Sequence, residues 1–367
     1  MCTSLSYRDA EDRVYCGRTM ELGAQLAYEI SYVPAGQSWT SETVGDNPPF
    51  EFSTRHEIVG VFYAPPNVDG PPRSFQTHTV VDGMNSTGLV FNVLAYPDAG
   101  GPPSNRLCKA CVLNVIDLGL WVLGQFASVA EVRAALETVS LSLEPLAGLD
   151  SPPPFHYSIY DRTGEAMVIE FHKGELTIYD NPVGVMTNGP QFSWHLININ
   201  NYAHLSNRDH SISKFGKMVV RQPDAGISMA GLPSDTTSVG RFVRAAYFAT
   251  FAERAGNPDA AVRTLGHIMN NFDRVRGLSI LDPAAGDEFG ETMGFADGET
   301  ATEFTTWTQL SDTTRGLYFV RAHEALNFTC FDLNTLVSEK QILSVPLARL
   351  SDMGGDGSGF LSEANAV

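Results

Sequence analysis

The sequence MCTSLSYRDAEDRVYCGRTMEL, residues 1–22, is the stretch that decides the predicted fold. Residues 3–7 form a short, partly alternating β-rich run, and residues 14–22 form a second one. The polar residues 8–13 between them are typical of a turn, so the two runs are predicted to pair as a hairpin. The chain therefore opens with a strand, and Cys2 lies at its beginning.

Cys2 is the residue on which the functional hypothesis depends. Methionine is readily removed before a small residue, and removal of Met1 would leave Cys2 with both a thiol and a free α-amine. An α-amine has a pKa of about 7.7–8.0, so it can act as a general base near neutral pH. One residue would then supply nucleophile and base together, although an isolated cysteine at this position is more commonly inert.

The predicted partner strand carries Arg18 and Glu21. A guanidinium beside the Cys2 thiol would favour the thiolate form. A carboxylate nearby would orient the α-ammonium and compensate the charge of Arg18, which is the role predicted for Glu21. The alternative is that Arg18 and Glu21 form an ordinary ion pair on the surface of a strand. Considered without the rest of the sequence, the two residues fit this alternative better.

The rest of the chain alternates between runs of strands and runs of helices. Residues 112–123 have helical spacing, and Ser128 with Glu131 forms a capping box for a second helix to about residue 139. Further helices are predicted at 238–254 and 259–272, and strands at 77–81, 88–94, 156–161, 167–172, 176–180, 302–310, 316–321 and 327–332. This segregated order indicates a layered α+β fold.

Length and composition indicate one large globular domain. The 367 residues are 43% hydrophobic and 18% charged, which is ample for a sizeable core. We predict a single domain at residues 1–350, followed by a flexible, acidic, Gly/Ser-rich tail at 351–367.

Charge and cysteine content exclude several classes of partner. A formal net charge of −18 argues against binding nucleic acid or an anionic membrane. No signal-peptide pattern and no membrane-length apolar run are present, so we expect a cytoplasmic protein with reduced thiols. Cys108 and Cys111 form a C-x-x-C pair without further ligands at suitable spacing, and no metal site is predicted.

Several segments match, in the right order, motifs of one known family: Cys2-Thr3-Ser4, Gly17-Arg18-Thr19-Met20, Asp82-Gly83-Met84-Asn85 with Gly88-Leu89, Val185-Met186-Thr187-Asn188-Gly189-Pro190, Gly231-Leu232-Pro233-Ser234-Asp235 with Arg241-Phe242-Val243-Arg244-Ala245, and Thr306-Trp307-Thr308. Together they resemble the choloylglycine hydrolase family, which contains conjugated bile salt hydrolases and penicillin V acylases. The resemblance implies the four-layer α-β-β-α sandwich of N-terminal-nucleophile hydrolases.

The resemblance also implies roles for individual residues. Cys2 corresponds to the nucleophile and Arg18 to the positive partner of its thiol. Glu21 stands where the family usually has aspartate, which is a departure. Asn188 corresponds to the asparagine whose side-chain amide helps to hold the oxyanion, and Arg241 to the arginine that completes the polar cluster.

The second oxyanion donor of the family is a backbone amide, which counting along the strand from Gly88 places at Ala95. Bile salt hydrolases typically carry asparagine at this point and penicillin V acylases carry tyrosine, so alanine matches neither. Phe62, Tyr63 and Tyr96 are candidates for a hydrophobic acyl pocket by family position, with ordinary core packing as the alternative for each.

The function implied by the resemblance is hydrolysis of a linear, non-peptide amide between a hydrophobic acyl group and a small polar amine. Penicillin V-type amides, conjugated bile salts and long-chain N-acyl homoserine lactones are the candidate substrates, with a slight preference for the first. No cofactor is expected. The resemblance also implies that the protein forms a homotetramer. Two alternatives remain open: a non-catalytic acyl-amide-binding relative, and a chain inactive because Met1 is retained.

Overall fold

The computed structural model describes residues 1–41, 48–65, 75–100, 112–142, 154–280 and 302–363. Its strands are β1 (Cys2–Arg8), β2 (Val14–Leu22), β3 (Tyr28–Val33), β4 (Ser38–Ser41), β5 (Phe50–Ser53), β6 (Ile58–Tyr63), β7 (Thr79–Asn85), β8 (Val90–Ala95), β9 (Val112–Asn114), β10 (Ser140–Ser142), β11 (Phe155–Tyr160), β12 (Ala166–His172), β13 (Glu175–Asp180), β14 (Val185–Met186), β15 (Ile212–Phe215), β16 (Met218–Arg221), β17 (Phe304–Asp312), β18 (Leu317–Ala322), β19 (Thr329–Asp332), β20 (Leu343–Pro346) and β21 (Gly355–Asp356). Its helices are α1 (Leu118–Gln125), α2 (Val129–Leu136), α3 (Phe192–Asn198), α4 (Ser238–Phe251), α5 (Pro258–Asn270), α6 (Leu333–Leu336) and α7 (Ser358–Ser362). Short 3-10 turns occur at Phe75–Thr77, Ile199–Tyr202, Ile227–Met229 and Leu347–Leu350.

Two large sheets form the centre of the molecule. One has seven strands in the order β14-β1-β2-β17-β18-β19-β21, and the other has eight in the order β13-β12-β11-β8-β7-β6-β3-β20. The predicted hairpin is confirmed, because β1 and β2 pair in antiparallel register from Cys2 opposite Met20 to Arg8 opposite Val14.

Helices cover the outer face of each sheet. Helices α4 and α5 pack on β1, β2 and β17, and α1 packs on β7 and β8. Helix α5 lies directly on the backbone of β2, since a side chain at Gly17 would come within 2.8 Å of Met269. Helix, sheet, sheet and helix thus form four layers, as predicted. In the part of the chain that the structure describes, no helix is long and apolar enough to cross a bilayer.

Two local predictions differ from the structure. Helical spacing suggested a helix from residue 112, but Val112–Asn114 pairs in parallel with Ser140–Ser142 and the helix begins at Leu118. Ser128 does cap α2 by accepting from the Glu131 N–H. The strand predicted at 77–81 extends further than expected, because β7 is a buried strand that runs to Asn85.

The predicted flexible tail is not free in residues 351–363. Residues Gly355–Asp356 pair in parallel with β19, and the following helix α7 buries Leu361 completely. The apolar side chains Phe360 and Leu361 anchor this segment against the core in spite of its glycine content. The C-x-x-C pair at Cys108 and Cys111 lies outside the described residues.

Candidate active site

The side chain of Cys2 points into the space between the two large sheets. In the ladder of β1 and β2, Cys2 lies opposite Met20 and Ser4 lies opposite Arg18. Directly opposed residues share one face of a sheet, and alternate residues of a strand do as well. The hydroxyl of Ser4 donates to Asn92 of the other sheet at 2.7 Å, which identifies this face as the inner one. The Cys2 side chain therefore lies in the space between the sheets, and the residue is only 2% exposed.

Arg18 is fully buried next to the thiol. Its Nη2 lies 3.4 Å from Cys2 Sγ and also donates to the carbonyl of Val93, while Nη1 donates to the carbonyl of Val81 at 3.0 Å. The guanidinium carbon lies 4.7 Å from the centre of the Trp307 ring. These contacts fix the orientation of the cation, so its charge acts on the sulfur at short range.

Asp82 is the carboxylate that faces Arg18. Its Oδ2 lies 3.7 Å from Arg18 Nη1, and both side chains are fully buried. Tyr318 donates its hydroxyl to Oδ1 at 2.6 Å, and Asn92 donates its amide to Oδ2 at 2.6 Å. Burial raises the pKa of Asp82 to about 6, although the charge of Arg18 and these hydrogen bonds oppose the shift. The positive charge of Arg18 is thus compensated by Asp82, which belongs to the eight-stranded sheet.

Glu21 does not compensate Arg18, which corrects the prediction. The two residues are three apart on β2, and side chains alternate along a strand, so they lie on opposite faces. Glu21 is buried on the face toward the helices, where Thr305 donates to its Oε1 at 3.3 Å. Burial raises the pKa of Glu21, while the charges of Arg241 and of the chain's α-ammonium oppose the shift. Its charge partner is therefore Arg241.

Asn188 and Ala95 lie beside Cys2 on the side away from β2. The N–H of Cys2 donates to Asn188 Oδ1 at 2.9 Å, and Asn188 Nδ2 donates to the carbonyl of Ala95 at 2.7 Å. The N–H of Tyr96 donates to the carbonyl of Pro154, so in the alternating ladder both backbone groups of Ala95 point away from β11. The Asn188 amide and the backbone of Ala95 therefore meet directly beside Cys2.

Arg241 holds Asn188 and the start of β1 together. Its Nη2 donates to Asn188 Oδ1 at 2.7 Å, and its Nη1 donates to Thr3 Oγ1 at 2.8 Å and to the carbonyl of Cys2. Because Oδ1 of Asn188 is engaged by two donors, its amide nitrogen is directed toward Ala95.

Two buried histidines hold the backbone of residues 187–188. His195 Nε2 lies 3.0 Å from the carbonyl of Asn188, and His156 Nε2 lies 3.0 Å from the carbonyl of Thr187. Burial lowers the pKa of His195 to about 4, so its ring is neutral at pH 7 and donates through Nε2. His156 is in turn 3.2 Å from the carboxylate of Glu170. The asparagine is thus fixed by its backbone as well as its side chain.

Comparisons with known proteins find relatives over nearly the whole chain. The family model described as linear amide C–N hydrolases, choloylglycine hydrolase family, matches residues 2–340. A bile salt hydrolase/transferase of Lactiplantibacillus plantarum is 29% identical over 353 residues, covering 95% of this chain and 97% of the relative. The C2A mutant of the conjugated bile acid hydrolase from Clostridium perfringens superposes with a TM-score of 0.76 at 25% identity, covering 94% and 96% of the two chains. Penicillin V acylase from Agrobacterium tumefaciens has the same fold, with a TM-score of 0.74 at 19% identity and coverage of 100% and 98%.

The chain belongs to the choloylglycine hydrolase family. This confirms the predicted family, the N-terminal-nucleophile hydrolase fold and the reaction class, which is hydrolysis of linear, non-peptide amide C–N bonds. The structure of this choloylglycine hydrolase family member brings Cys2, Arg18, Asn188 and Arg241 into one buried cluster with the half-buried Ala95 beside it, as the resemblance implied.

For Phe62 and Tyr96, two of the three candidate acyl-pocket residues of this family member, the structure shows the alternative of ordinary core packing. Phe62 is fully buried on the outer face of the eight-stranded sheet, where its ring lies 5.2 Å from that of Phe75. Tyr96 is fully buried as well, stacked on His156 at 4.8 Å, so it has no surface for a substrate. Tyr63 alone of the three is half-buried and packs on the inner core.

Sequence reasoning missed two residues of the site. Asp82 belongs to a motif that matches the family, but its position opposite Arg18 depends on how the two sheets pack. Tyr28 packs edge-on against Trp307 at 5.8 Å and against Tyr63 at 6.5 Å, and the charges of Arg18 and Cys2 both act on its hydroxyl. The alternation of β3 places Tyr28 on the inner face, but nothing in its local sequence indicates a neighbour of the thiol.

Proposed function

We propose that this hydrolase cleaves acyl amides with Cys2 as an N-terminal nucleophile, after Met1 has been removed. The carrying observation is that the Cys2 thiol, the fixed Arg18 guanidinium and the Asn188 side chain, which contacts Ala95, lie together at the start of the chain. Cys2 N also lies within hydrogen-bond distance of Asn188, so the future α-amine is held beside these groups.

The mechanism follows from the positions of these groups. The freed α-amine takes the proton of the Cys2 thiol, directly or through a water, and the sulfur attacks the amide carbon. The Asn188 amide and the Ala95 N–H stabilise the oxyanion, a contribution of about 2.7–4 kcal/mol per donor in comparable sites. The ammonium then protonates the leaving nitrogen as the C–N bond breaks, and water hydrolyses the thioester.

The substrate class we propose is an amide between a bulky hydrophobic acyl group and a small polar amine. Relatives and structural neighbours are named for bile salts and for penicillin V, which share this chemistry. Ala95 carries neither of the side chains typical of the two groups, and we retain the slight preference for penicillin V-type acyl groups. Conjugated bile salts and N-acyl homoserine lactones are the alternatives.

The test is release of free amine from glycocholate, taurocholate, penicillin V and a long-chain N-acyl homoserine lactone. Wild type and Cys2→Ala are compared, with intact mass to show that Met1 is absent from both. We expect turnover of at least one substrate by wild type and none by the variant. Equal, negligible release by two correctly processed proteins would contradict the proposal and favour a non-catalytic acyl-amide-binding protein.

We further propose that copies of this chain associate through the β15–β16 hairpin, as in the homotetramer implied by the family. The two strands pair with each other in a separate two-stranded sheet, and Ile212, Phe215, Met218 and Val219 are all more than half exposed. A lone hairpin is marginally stable in water, and exposed apolar patches indicate contact surfaces. Light scattering should show a tetramer that Phe215→Glu dissociates; a monomeric wild type would contradict the proposal.

We also propose a cytoplasmic location, where thiols stay reduced. In the part of the chain that the structure describes, Cys2, Cys16 and Cys330 are all free. Fractionation of the host cell tests this location, and recovery outside the cytoplasm would contradict it.

A further inference from the structure

Glu170 is a fully buried carboxylate that the proposed mechanism does not use. It lies on β12, and the pairing of Tyr157 with Ile169 in the ladder of β11 and β12 places His156 directly opposite it. Oε2 of Glu170 lies 3.2 Å from Nδ1 of His156. The N–H of Phe192 donates to both carboxylate oxygens, at 3.3 Å and 3.2 Å. One carboxylate thus joins the eight-stranded sheet to the first residue of α3.

His156 lies between the two proposed oxyanion groups. Its ring stacks on the ring of Tyr96 with the centroids 4.8 Å apart, and Tyr96 directly follows Ala95 in the chain. Its Nε2 lies 3.0 Å from the carbonyl of Thr187, which directly precedes Asn188. The Asn188 amide in turn donates to the carbonyl of Ala95 at 2.7 Å. Because His156 contacts the chain neighbour of each group, its position sets the distance between them.

The hydrogen bonds of His156 require a partner on each side of the ring. A backbone carbonyl can only accept, so Nε2 must donate to Thr187. The contact between Nδ1 and Glu170 then needs a second proton, carried either by the ring or by the carboxyl group. In both cases the ring is held from two sides. Without Glu170 the buried Nδ1 and the Phe192 N–H would lose their partner, which is costly in the interior.

We propose that Glu170 is a positioning residue of the reaction, acting through His156 on the two oxyanion groups. This role rests on the proposed function, in which those groups stabilise the oxyanion. The Cys2 sulfur has a separate support, because Arg18 lies 3.4 Å from it. A catalytic group displaced by about 1 Å can lower a rate about 10²-fold. Loss of Glu170 should therefore lower kcat while the reactivity of the thiol is kept.

The experiment measures kcat, KM and the rate of Cys2 alkylation by iodoacetamide, with an acyl amide that wild type turns over. Glu170→Ala should lower kcat about tenfold or more, because the oxyanion groups remain present but are held less well. KM and the alkylation rate should stay within about twofold of wild type. Glu170→Leu has a comparable volume, should show the same loss, and provides the test if the alanine variant does not fold. A kcat within about twofold of wild type in either folded variant would overturn the inference and leave the proposed function intact.

Glu170→Gln separates hydrogen bonding from packing. Its amide nitrogen can donate to His156 Nδ1 and its oxygen can accept from the Phe192 N–H, so kcat should stay within about threefold of wild type. Glu175→Ala removes an exposed carboxylate of the neighbouring strand β13 and is the matched control, with kcat unchanged.

Two further results would overturn this role of Glu170. One is a loss of kcat in Glu170→Gln as large as that in Glu170→Leu, which would mean that the hydrogen bonds do not matter. The other is a slowing of Cys2 alkylation as large as the loss of kcat, which would indicate general damage to the site. Absence of turnover of every acyl amide by the processed wild type would overturn the proposed function, and the role of Glu170 with it.

Discussion

The two faces of the β1–β2 hairpin carry separate charge pairs. On the face toward the eight-stranded sheet, Arg18 lies 3.4 Å from the Cys2 sulfur and 3.7 Å from the Asp82 carboxylate. On the face toward α4, Arg241 binds Asn188 and the backbone of Cys2, with Glu21 as its charge partner. All four charged side chains are fully buried.

The two arginines thus contact different groups of the site: Arg18 lies against the sulfur, whereas Arg241 binds the Asn188 side chain and the backbone of Cys2. A buried charge is costly unless an opposite charge lies close by, so each arginine depends on the carboxylate of its own face. The inner pair acts on the charge of the sulfur, while the outer pair acts on the orientation of an amide. Loss of Arg18 should therefore affect the thiol more strongly than loss of Arg241 does.

The largest expected effect comes from removing either arginine. Arg18→Gln and Arg241→Gln should each lower kcat by about 10²–10³, the loss seen when one oxyanion donor is removed. Arg18→Gln should also slow the alkylation of Cys2 by iodoacetamide at pH 7, by about tenfold and more than Arg241→Gln does, because Arg18 is the cation that lies against the sulfur. The measurements are kcat and the alkylation rate of the Cys2 peptide by mass spectrometry.

Arg208→Gln is the control for these variants, because Arg208 is exposed. It should change neither rate. Equal slowing of alkylation by both buried-arginine variants would show that the two faces of the hairpin are not independent.

Much of this comparison was accessible from the sequence. The hairpin and the position of Arg18 on the partner strand of Cys2 follow from two β-rich runs and one polar turn, whereas the register comes from the structure. The same alternation could have placed Glu21 on the opposite face from Arg18, since an odd spacing along a strand separates two side chains. The family resemblance directed attention to their charges, and the wrong partner was assigned.

The remaining features depend on contacts between distant elements. Asp82 meets Arg18 because two sheets pack face to face, and no local pattern encodes that contact. Phe62 and Tyr63 are adjacent in a run of apolar residues, so periodicity alone does not decide which of them faces the site. A short strand at Val112–Asn114 exists because residues 140–142 pair with it, which overrides the helical spacing.

A second, smaller effect concerns His195, whose ring binds the backbone carbonyl of Asn188, and the dependence of stability on pH. Burial lowers the pKa of His195 from 6.5 to about 4, so the unfolded chain binds a proton before the folded one does. The associated stability is present above about pH 6.5 and is lost as the pH falls through 4, by an amount on the order of 3 kcal/mol. Urea unfolding between pH 4 and pH 7 measures this loss.

His195→Phe should show a smaller decrease of stability over that range, because phenylalanine binds no proton and can keep the stacking on Phe242 at 4.6 Å. His204→Phe replaces an exposed histidine and should behave like wild type. Parallel stability curves for wild type and His195→Phe would mean that His195 does not control the acid sensitivity of this region.

The smallest effects are expected in the eight-stranded sheet, where the adjacent β6 residues Phe62 and Tyr63 lie on opposite faces. Phe62→Leu should lower the free energy of unfolding by about 1–2 kcal/mol with KM unchanged, because Phe62 packs on Phe75 away from the site. Tyr63→Leu should raise KM for the acyl amide about threefold to tenfold with a smaller change in stability, because Tyr63 is half-buried and contacts Tyr28 next to the thiol. Thermal unfolding and steady-state kinetics of the two variants separate these outcomes. An unchanged KM in Tyr63→Leu would place the acyl group elsewhere, whereas a raised KM in Phe62→Leu would show that the outer face of this sheet influences the site through the strand itself.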